Sequence, residues 1–138
     1  MKSRVTWTGD KAFWGLTEGG HSVVLGTATE DAPKPGPSAM ELVLMGAGGC
    51  SAYDVVSILE KGRQDIDDVI VELDADRAGE VPKVFTRIHM HFIVKGRGLS
   101  EARVERAIQL SVEKYCSATK MLEMTAEVTH DFEIVETI

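Results

Sequence analysis

The feature that most constrains the fold is an apolar stretch, "LVLMGAGGCSAYDVV", at residues 42–56. Just before it, Ser38 and Glu41 have the S-x-x-E spacing of a capping box, in which two free backbone N–H groups at a helix start are satisfied reciprocally. Gly62 follows the stretch, and glycine is typical of helix ends. The pattern predicts a helix from about Ser38 to Lys61. Because apolar residues occupy nearly its whole circumference, we expect a buried central helix.

This helix carries an unusual run of glycines, Gly46, Gly48 and Gly49, directly before Cys50. Each interior glycine destabilises a helix by about 1 kcal/mol relative to alanine, so three cost on the order of 3 kcal/mol. A bare backbone face that lets another helix or a neighbouring subunit come close would offset this cost. The apolar stretch at residues 42–59 approaches the length of a membrane span, but its glycines and Asp54 favour a core helix, and we expect no membrane.

The rest of the chain predicts strands on both sides of this helix. The runs "RVTWT", "AFWGL" and "SVVLG" are typical of an N-terminal antiparallel β-meander, and "VIVELDADRA" with "FTRIHMHFIVKG" indicates a second β-hairpin. An amphipathic helix capped by Ser100, a short helix from Ser117 and a last strand, "AEVTHDFEIVE", complete the chain. The order βββ-α-ββ-α-β predicts a single α+β domain over residues 1–138, with an antiparallel sheet.

Charge and cysteine content exclude several classes of function. The net charge of −7 and the scattered lysines and arginines argue against nucleic acid or an anionic membrane as a partner. The start, "MKSRVTWTGD", lacks the apolar run of a secretory signal, so we expect a cytoplasmic protein. Two cysteines in a reducing compartment are not expected to form a permanent disulfide. No C-x-x-C or Cys/His cluster indicates zinc, and we expect neither a metal nor another cofactor.

Both cysteines allow two interpretations. Cys50 is either a small apolar core residue or a thiol at a tight, dry contact. Cys116 falls at the junction of the amphipathic helix and the short helix. There it either fills the core or lies near free N–H groups that favour its thiolate.

Four other side chains also have open roles. Asp54, one helical turn after Cys50, could act as a base, raise the pKa of Cys50, or bond to a tyrosine or a backbone group. Tyr115 fills the core or bonds to a substrate. His89 and His91 share one face of a predicted strand, where they are either metal ligands or part of a solvated surface.

The segments "SAMELVLMGAGGCSAYDVVSIL" and "EKYCSATKML" carry a cysteine in a long helix and a second cysteine after an amphipathic helix. This pattern resembles the OsmC and Ohr family. The stretches "ELVLMGAGGCSAYDVVSILEKGRQDI", "FIVKGRGLS" and "SVEKYCSATKMLE" are most similar to its YhfA-like branch. The resemblance covers nearly the whole chain, from "RVTW" to "FEIVE".

The resemblance implies an intertwined homodimer in which two central helices pack back to back and the sites form between subunits. It also implies thiol peroxidase activity on small apolar organic hydroperoxides. By position, Cys50 matches the peroxidatic cysteine, which becomes a sulfenic acid, and Cys116 the resolving cysteine, which closes a disulfide that an external dithiol reduces. We expect the two sulfurs to become neighbours when two copies assemble.

Two features depart from the peroxidase members of the family. There, a glutamate ten residues before the cysteine and an N-terminal arginine hold the thiolate; here Met40 stands at that position, and "TGDKAFWGLTEGG" contains no arginine. The neighbouring Glu41 is a capping residue. Met40, Glu41, Asp54 and Tyr115 are the possible substrate-binding residues. The alternative function is a non-catalytic homodimer that binds a small apolar ligand or a protein partner.

Overall fold

The α+β fold predicted from the sequence is confirmed by a computed structural model, which describes all residues from 1 to 138. The observed order matches the predicted one, including the short helix from Ser117, and a π-helical turn that was not predicted precedes that helix. The elements are β1 (Ser3–Gly9), β2 (Ala12–Thr17), β3 (Ser22–Gly26), α1 (Ala39–Lys61), β4 (Asp65–Arg77), β5 (Phe85–Arg97), α2 (Glu101–Leu110), the π turn (Ser111–Tyr115), α3 (Ser117–Leu122) and β6 (Glu127–Glu136).

The chain forms two compact units, Met1–Leu44 and Met45–Ile138. The first unit contains the predicted meander, in which β1, β2 and β3 pair antiparallel in sequence order. The second unit contains a separate sheet of β4, β5 and β6 together with α2, α3 and most of α1.

The second sheet is mixed, so the prediction of an antiparallel sheet is wrong for its last strand. β4 and β5 pair antiparallel, with Leu73 opposite Met90. β6 pairs parallel to β5, with Phe92 opposite Phe132. A parallel pair needs a crossover of a dozen or more residues, and the segment containing α2, the π turn and α3 provides it.

The core of the second unit lies on one face of β5. Residues along this strand alternate between buried and less buried positions, as expected where a sheet is covered on one face. Helices α1 and α2 also contribute buried side chains. The largest fully buried apolar side chains are Phe92, Leu59, Ile88, Met90, Ile108, Val55, Val94 and Val104.

The apolar circumference of α1 predicted a helix buried on all sides, and this prediction is wrong. Its buried residues, Ala47, Gly48, Ser51, Val55 and Leu59, lie on one side only. Other apolar side chains of the helix are open to solvent: Val43 is 43% exposed, Met45 50% and Tyr53 74%. By length and composition α1 could also cross a membrane, but the core helices of globular proteins meet the same criterion.

The glycines of α1 divide into two kinds. A Cβ added to Gly48 would lie 2.7 Å from Cδ1 of Leu73 in β4, so close packing within the chain accounts for this glycine. A Cβ added to Gly46 or Gly49 would meet nothing within 4 Å. These two glycines therefore contribute to the exposed side of the helix.

The predicted start of α1 is confirmed to within one residue. The backbone N–H of Ser38 donates to Oε1 of Glu41 at 3.0 Å, and the N–H of Glu41 donates to Oγ of Ser38 at 3.2 Å. This reciprocal pair is the predicted capping box. Ser100 caps α2 as predicted, since its side chain accepts from the N–H of Arg103.

Candidate functional site

The two cysteines lie side by side within one chain. Sγ of Cys50, Sγ of Cys116 and a carboxylate oxygen of Asp54 all lie within 4.8 Å of one another. Both cysteines are free thiols. Cys50 and Asp54 are four residues apart on α1 and so share one face of the helix. The expectation that assembly of two copies makes the sulfurs neighbours is therefore corrected: they are already neighbours within one chain, because the crossover after β5 carries Cys116 back to α1.

A π-helical turn and a helix start fix the position of Cys116. The N–H of Cys116 donates to the carbonyl of Ser111 at 2.8 Å, which closes the wider turn after α2. Cys116 is also the N-cap of α3, where its sulfur accepts from the N–H of Thr119 at 3.3 Å. Cysteine here takes the place of the oxygen-bearing side chains usual at N-caps.

The surroundings of Cys116 favour its thiolate, although the side chain is 0% exposed. Burial opposes ionisation, but hydrogen bonds to the sulfur from Ser51, from Thr119 and from Cys50 together hold the pKa of Cys116 below its ordinary value. The hydroxyl of Thr119 lies 2.9 Å from the sulfur. Donors to a charged acceptor in a buried site stabilise the charge more than they would in water.

Cys50 has the opposite tendency. Burial raises its pKa, and the Cys116 sulfur beside it raises it further; the N–H groups of Ala118 and Ser117 act in the other direction. Cys50 is more exposed than Cys116. Of the two thiols, Cys116 is therefore the one whose surroundings favour loss of the proton, and Cys50 the one whose surroundings favour keeping it.

Asp54 bonds to a serine rather than to a tyrosine or a backbone group. Oγ of Ser111 donates to Oδ2 of Asp54 at 3.0 Å. None of the ion pairs in the structure includes Asp54. Asp54 lines a cleft of about 540 Å³ together with Lys61 and Tyr115. Tyr115 is 51% exposed, so it lies at the surface and does not fill the core.

Met40 and Glu41 belong to the first unit, whereas the two cysteines belong to the second. The carboxylate of Glu41 pairs with Lys34 and accepts from the N–H of Ser38. These bonds, with the one from Lys34 the strongest, lower the pKa of Glu41 to about 2. The structure thus gives Glu41 a local partner and a capping role.

His89 and His91 are held by an aspartate from the neighbouring strand. Nε2 of His89 and Nδ1 of His91 lie 2.9 and 2.8 Å from the same carboxylate oxygen of Asp131. The hydrogen bond that His91 donates to the Asp131 carboxylate raises the pKa of His91 and lowers that of Asp131. The two imidazoles therefore form a polar network across β5 and β6, which the sequence did not predict because Asp131 is 40 residues away from His91.

Sequence reasoning also missed the side chains that support the dithiol: Ser51, Ser111 and Thr119. Thr119 follows Cys116 by three residues, the spacing of an N-cap and its hydrogen-bonding partner, and this signal could have identified it. Ser51 and Ser111 are both fully buried. No local pattern distinguishes either of them.

The chain is similar to known proteins in both sequence and fold. The family model described as "OsmC-like protein" matches residues 29–131. Protein YhfA of Escherichia coli K12 is 50% identical over 136 residues, covering 98% of each chain. A hypothetical protein of Aquifex aeolicus VF5 has a solved structure with a TM-score of 0.88 and 27% identity, covering 99% of this chain and 97% of that one.

A more distant solved structure shares the fold alone. The organic hydroperoxide resistance protein OhrB of Bacillus subtilis has a TM-score of 0.63 at 15% identity, covering 96% of this chain and 98% of its own. The family model covers most of the chain, and the identity to YhfA extends over nearly all of it. The chain therefore belongs to the OsmC/Ohr family, in its YhfA-like branch.

Proposed function

We propose that this protein is a dithiol redox protein that reduces small organic hydroperoxides. One observation carries the proposal: two free cysteine sulfurs lie within 4.8 Å of each other in a single chain. Its distant structural relative OhrB is described as an organic hydroperoxide resistance protein, which supports this class of substrate. Free thiols of this kind suit the reducing cytoplasm, where we place the protein.

In the first step, the proton of Cys50 passes to the adjacent sulfur of Cys116, and the Cys50 thiolate attacks one oxygen of the O–O bond. An S–O bond forms, the O–O bond breaks, and the alkoxide leaves as the alcohol after taking the proton. Cys50 is then a sulfenic acid, oxidised by two electrons. In this route Cys116 helps to form the Cys50 thiolate, which a glutamate and an arginine hold in the peroxidase members of the family.

In the second step, the Cys116 thiolate attacks the sulfur of the Cys50 sulfenic acid. An S–S bond of about 2.05 Å forms, the S–O bond breaks, and hydroxide leaves as water after protonation. An external dithiol then reduces the disulfide by thiol–disulfide exchange and becomes oxidised itself. The hydrogen bonds to the Cys116 sulfur from Thr119 favour the nucleophilic form.

We propose that the protein acts as a homodimer in which both units of each chain serve as one functional domain. The exposed apolar residues of α1, Val43, Met45 and Tyr53, support a helix-to-helix contact. Gly46 and Gly49 have nothing within 4 Å, so a second helix could approach their backbone closely. The Tyr115 and Asp54 cleft is the proposed entrance for the substrate.

The test is to treat the reduced protein with one equivalent of tert-butyl hydroperoxide and map its cysteines by mass spectrometry. We expect an intrachain Cys50–Cys116 disulfide, with no covalent dimer on a non-reducing gel. Cys116→Ser should stop at a Cys50 sulfenic acid that dimedone traps, whereas Cys50→Ser should consume no hydroperoxide. A wild-type protein whose two thiols stay free under these conditions would refute the proposal.

The second candidate is the non-catalytic binder. It is favoured by a mostly apolar cavity of about 330 Å³ in the first unit, lined in part by Val5, Leu16, Val23 and Leu25. A fluorescent apolar probe would bind equally to wild type and to Cys50→Ser if this were the function. Loss of the cellular phenotype in a folded Cys50→Ser protein would favour the redox function instead.

A further inference from the structure

We infer that the reduced protein binds one thiophilic divalent cation of the Zn²⁺ class through Cys50, Asp54 and Cys116. The inference goes beyond the proposed redox function and does not depend on it. It starts from the three ligand atoms, two sulfurs and one carboxylate oxygen, which lie within 4.8 Å of one another.

The donor set and its spacing fit zinc. Zinc binds thiolate sulfur at about 2.3 Å and carboxylate oxygen at about 2.0–2.2 Å, usually with four ligands in a tetrahedron. Those bond lengths place two sulfur ligands of a tetrahedral site about 3.8 Å apart. The two sulfurs here lie no more than 4.8 Å apart, so any excess is at most about 1 Å, which side-chain rotation can close. Three protein ligands leave one position for water or an exogenous ligand.

The ligands are held on rigid elements. Cys50 and Asp54 share one face of α1. Cys116 is fixed between the π turn and α3, where its backbone N–H donates to Ser111. Asp54 lines a cleft that is open to solvent, whereas Cys116 is fully buried.

Hydrogen bonds around the ligands match what metal sites require beyond the ligands themselves. Ser111 donates to Oδ2 of Asp54 at 3.0 Å, which leaves the other carboxylate oxygen without this bond. Thr119 donates to the sulfur of Cys116 through its N–H at 3.3 Å and its hydroxyl at 2.9 Å. Such partners orient the ligands and tune their affinity for a metal.

The charge balance points the same way. The cluster collects groups that become anionic, yet Asp54 takes part in none of the ion pairs of the structure. Lys61 lines the same cleft but forms no ion pair with Asp54. When a divalent metal displaces the thiol protons, its two positive charges offset the negative charge that its ligands then carry. Because both sulfurs are used as ligands, metal binding and disulfide formation exclude each other.

The test uses the reduced, metal-free, full-length protein under anaerobic conditions, titrated with Co²⁺ as a spectroscopic probe. We expect a thiolate-to-cobalt charge-transfer band and the visible bands of tetrahedral cobalt, both saturating at one equivalent and disappearing when Zn²⁺ is added. Cys50→Ser and Cys116→Ser should each abolish the charge-transfer intensity of a two-thiolate site. The near-isosteric Asp54→Asn should weaken Zn²⁺ binding by on the order of 10- to 100-fold.

Two further variants make the result specific. Ser111→Ala should also weaken Zn²⁺ binding, by about 10-fold, because it leaves Asp54 unoriented. The control, His89→Gln with His91→Gln, removes the other cluster of possible ligands and should leave the titration unchanged. Circular dichroism confirms that each variant is folded.

Absence of thiolate-to-cobalt absorption in the folded wild type, or Zn²⁺ affinity unaffected by Asp54→Asn, would overturn the inference. No oxidant is present in this experiment, so its result is independent of whether the hydroperoxide test succeeds.

Discussion

Replacing Gly46 and Gly49 together by alanine separates the intrinsic stability of α1 from its role in self-association. A Cβ at either position meets nothing within 4 Å, so neither change introduces a clash within the chain. Alanine stabilises a helix interior by about 1 kcal/mol relative to glycine. The two changes together should therefore raise the free energy of unfolding of the isolated chain by about 2 kcal/mol.

If a second copy packs its own α1 against these glycines, the same changes should weaken the dimer. The added methyl groups would hold the two helix backbones apart, and we expect the dissociation constant to rise at least tenfold, which corresponds to about 1.4 kcal/mol. Urea unfolding at several protein concentrations and sedimentation equilibrium measure the two effects separately.

Gly48→Ala provides the matched comparison on the same helix. Its Cβ would lie 2.7 Å from Cδ1 of Leu73, so displacement of that side chain should offset the gain in helix propensity.

A Gly46→Ala, Gly49→Ala double variant that dimerises as tightly as wild type would show that this face is not the interface. A double variant no more stable than wild type at low concentration would refute the reasoning about open space.

Four further predictions concern pKa values and stability. Asp131→Asn should lower the pKa of His91 toward its ordinary value of 6.5, as measured by NMR titration of the imidazole. Because the pKa of His91 is raised and that of Asp131 is lowered, the stability from this pair is lost as pH rises through the pKa of His91 or falls through that of Asp131. Urea unfolding should thus show the largest difference between this variant and wild type between pH 3.8 and 6.5. Ser38→Ala should cost about 1 kcal/mol of unfolding free energy in the same assay, because the N–H of Glu41 loses its acceptor. The stability from the lowered pKa of Glu41 should be complete above pH 4.5 and disappear as pH falls through about 2, a loss that Glu41→Gln should not show. Leu59→Ala, at a side chain that is 1% exposed, should cost about 3–5 kcal/mol by leaving a cavity, whereas an unchanged urea midpoint would contradict its place in the core.

The elements that local signals encode could be predicted from the sequence. The capping box at Ser38 and Glu41 located the start of α1, and Ser100 located that of α2. The position of Cys116 at the start of a short helix also followed from residues close to it in the chain. Caps depend on a few adjacent residues, so a sequence pattern is sufficient to find them.

Features that depend on distant parts of the chain could not be predicted in this way. The parallel pairing of β6 with β5 depends on the path of the crossover, which strand patterns do not specify. The bond between Ser111 and Asp54 joins residues 57 positions apart. The exposed side of α1 was missed because apolar composition shows which residues can be buried but not what covers them.

The position of the Cys116 sulfur depends on the number of residues in the π turn at Ser111–Tyr115. Each residue of an α-helix turns the chain by about 100°, and the wider turn accommodates one residue more than an α-helical turn would. Deleting a single amino acid there would rotate the sulfur of Cys116 away from α1 while leaving both sheets and the main helices their full length. Such a shortened protein would keep its architecture but lose the contact between its two cysteines.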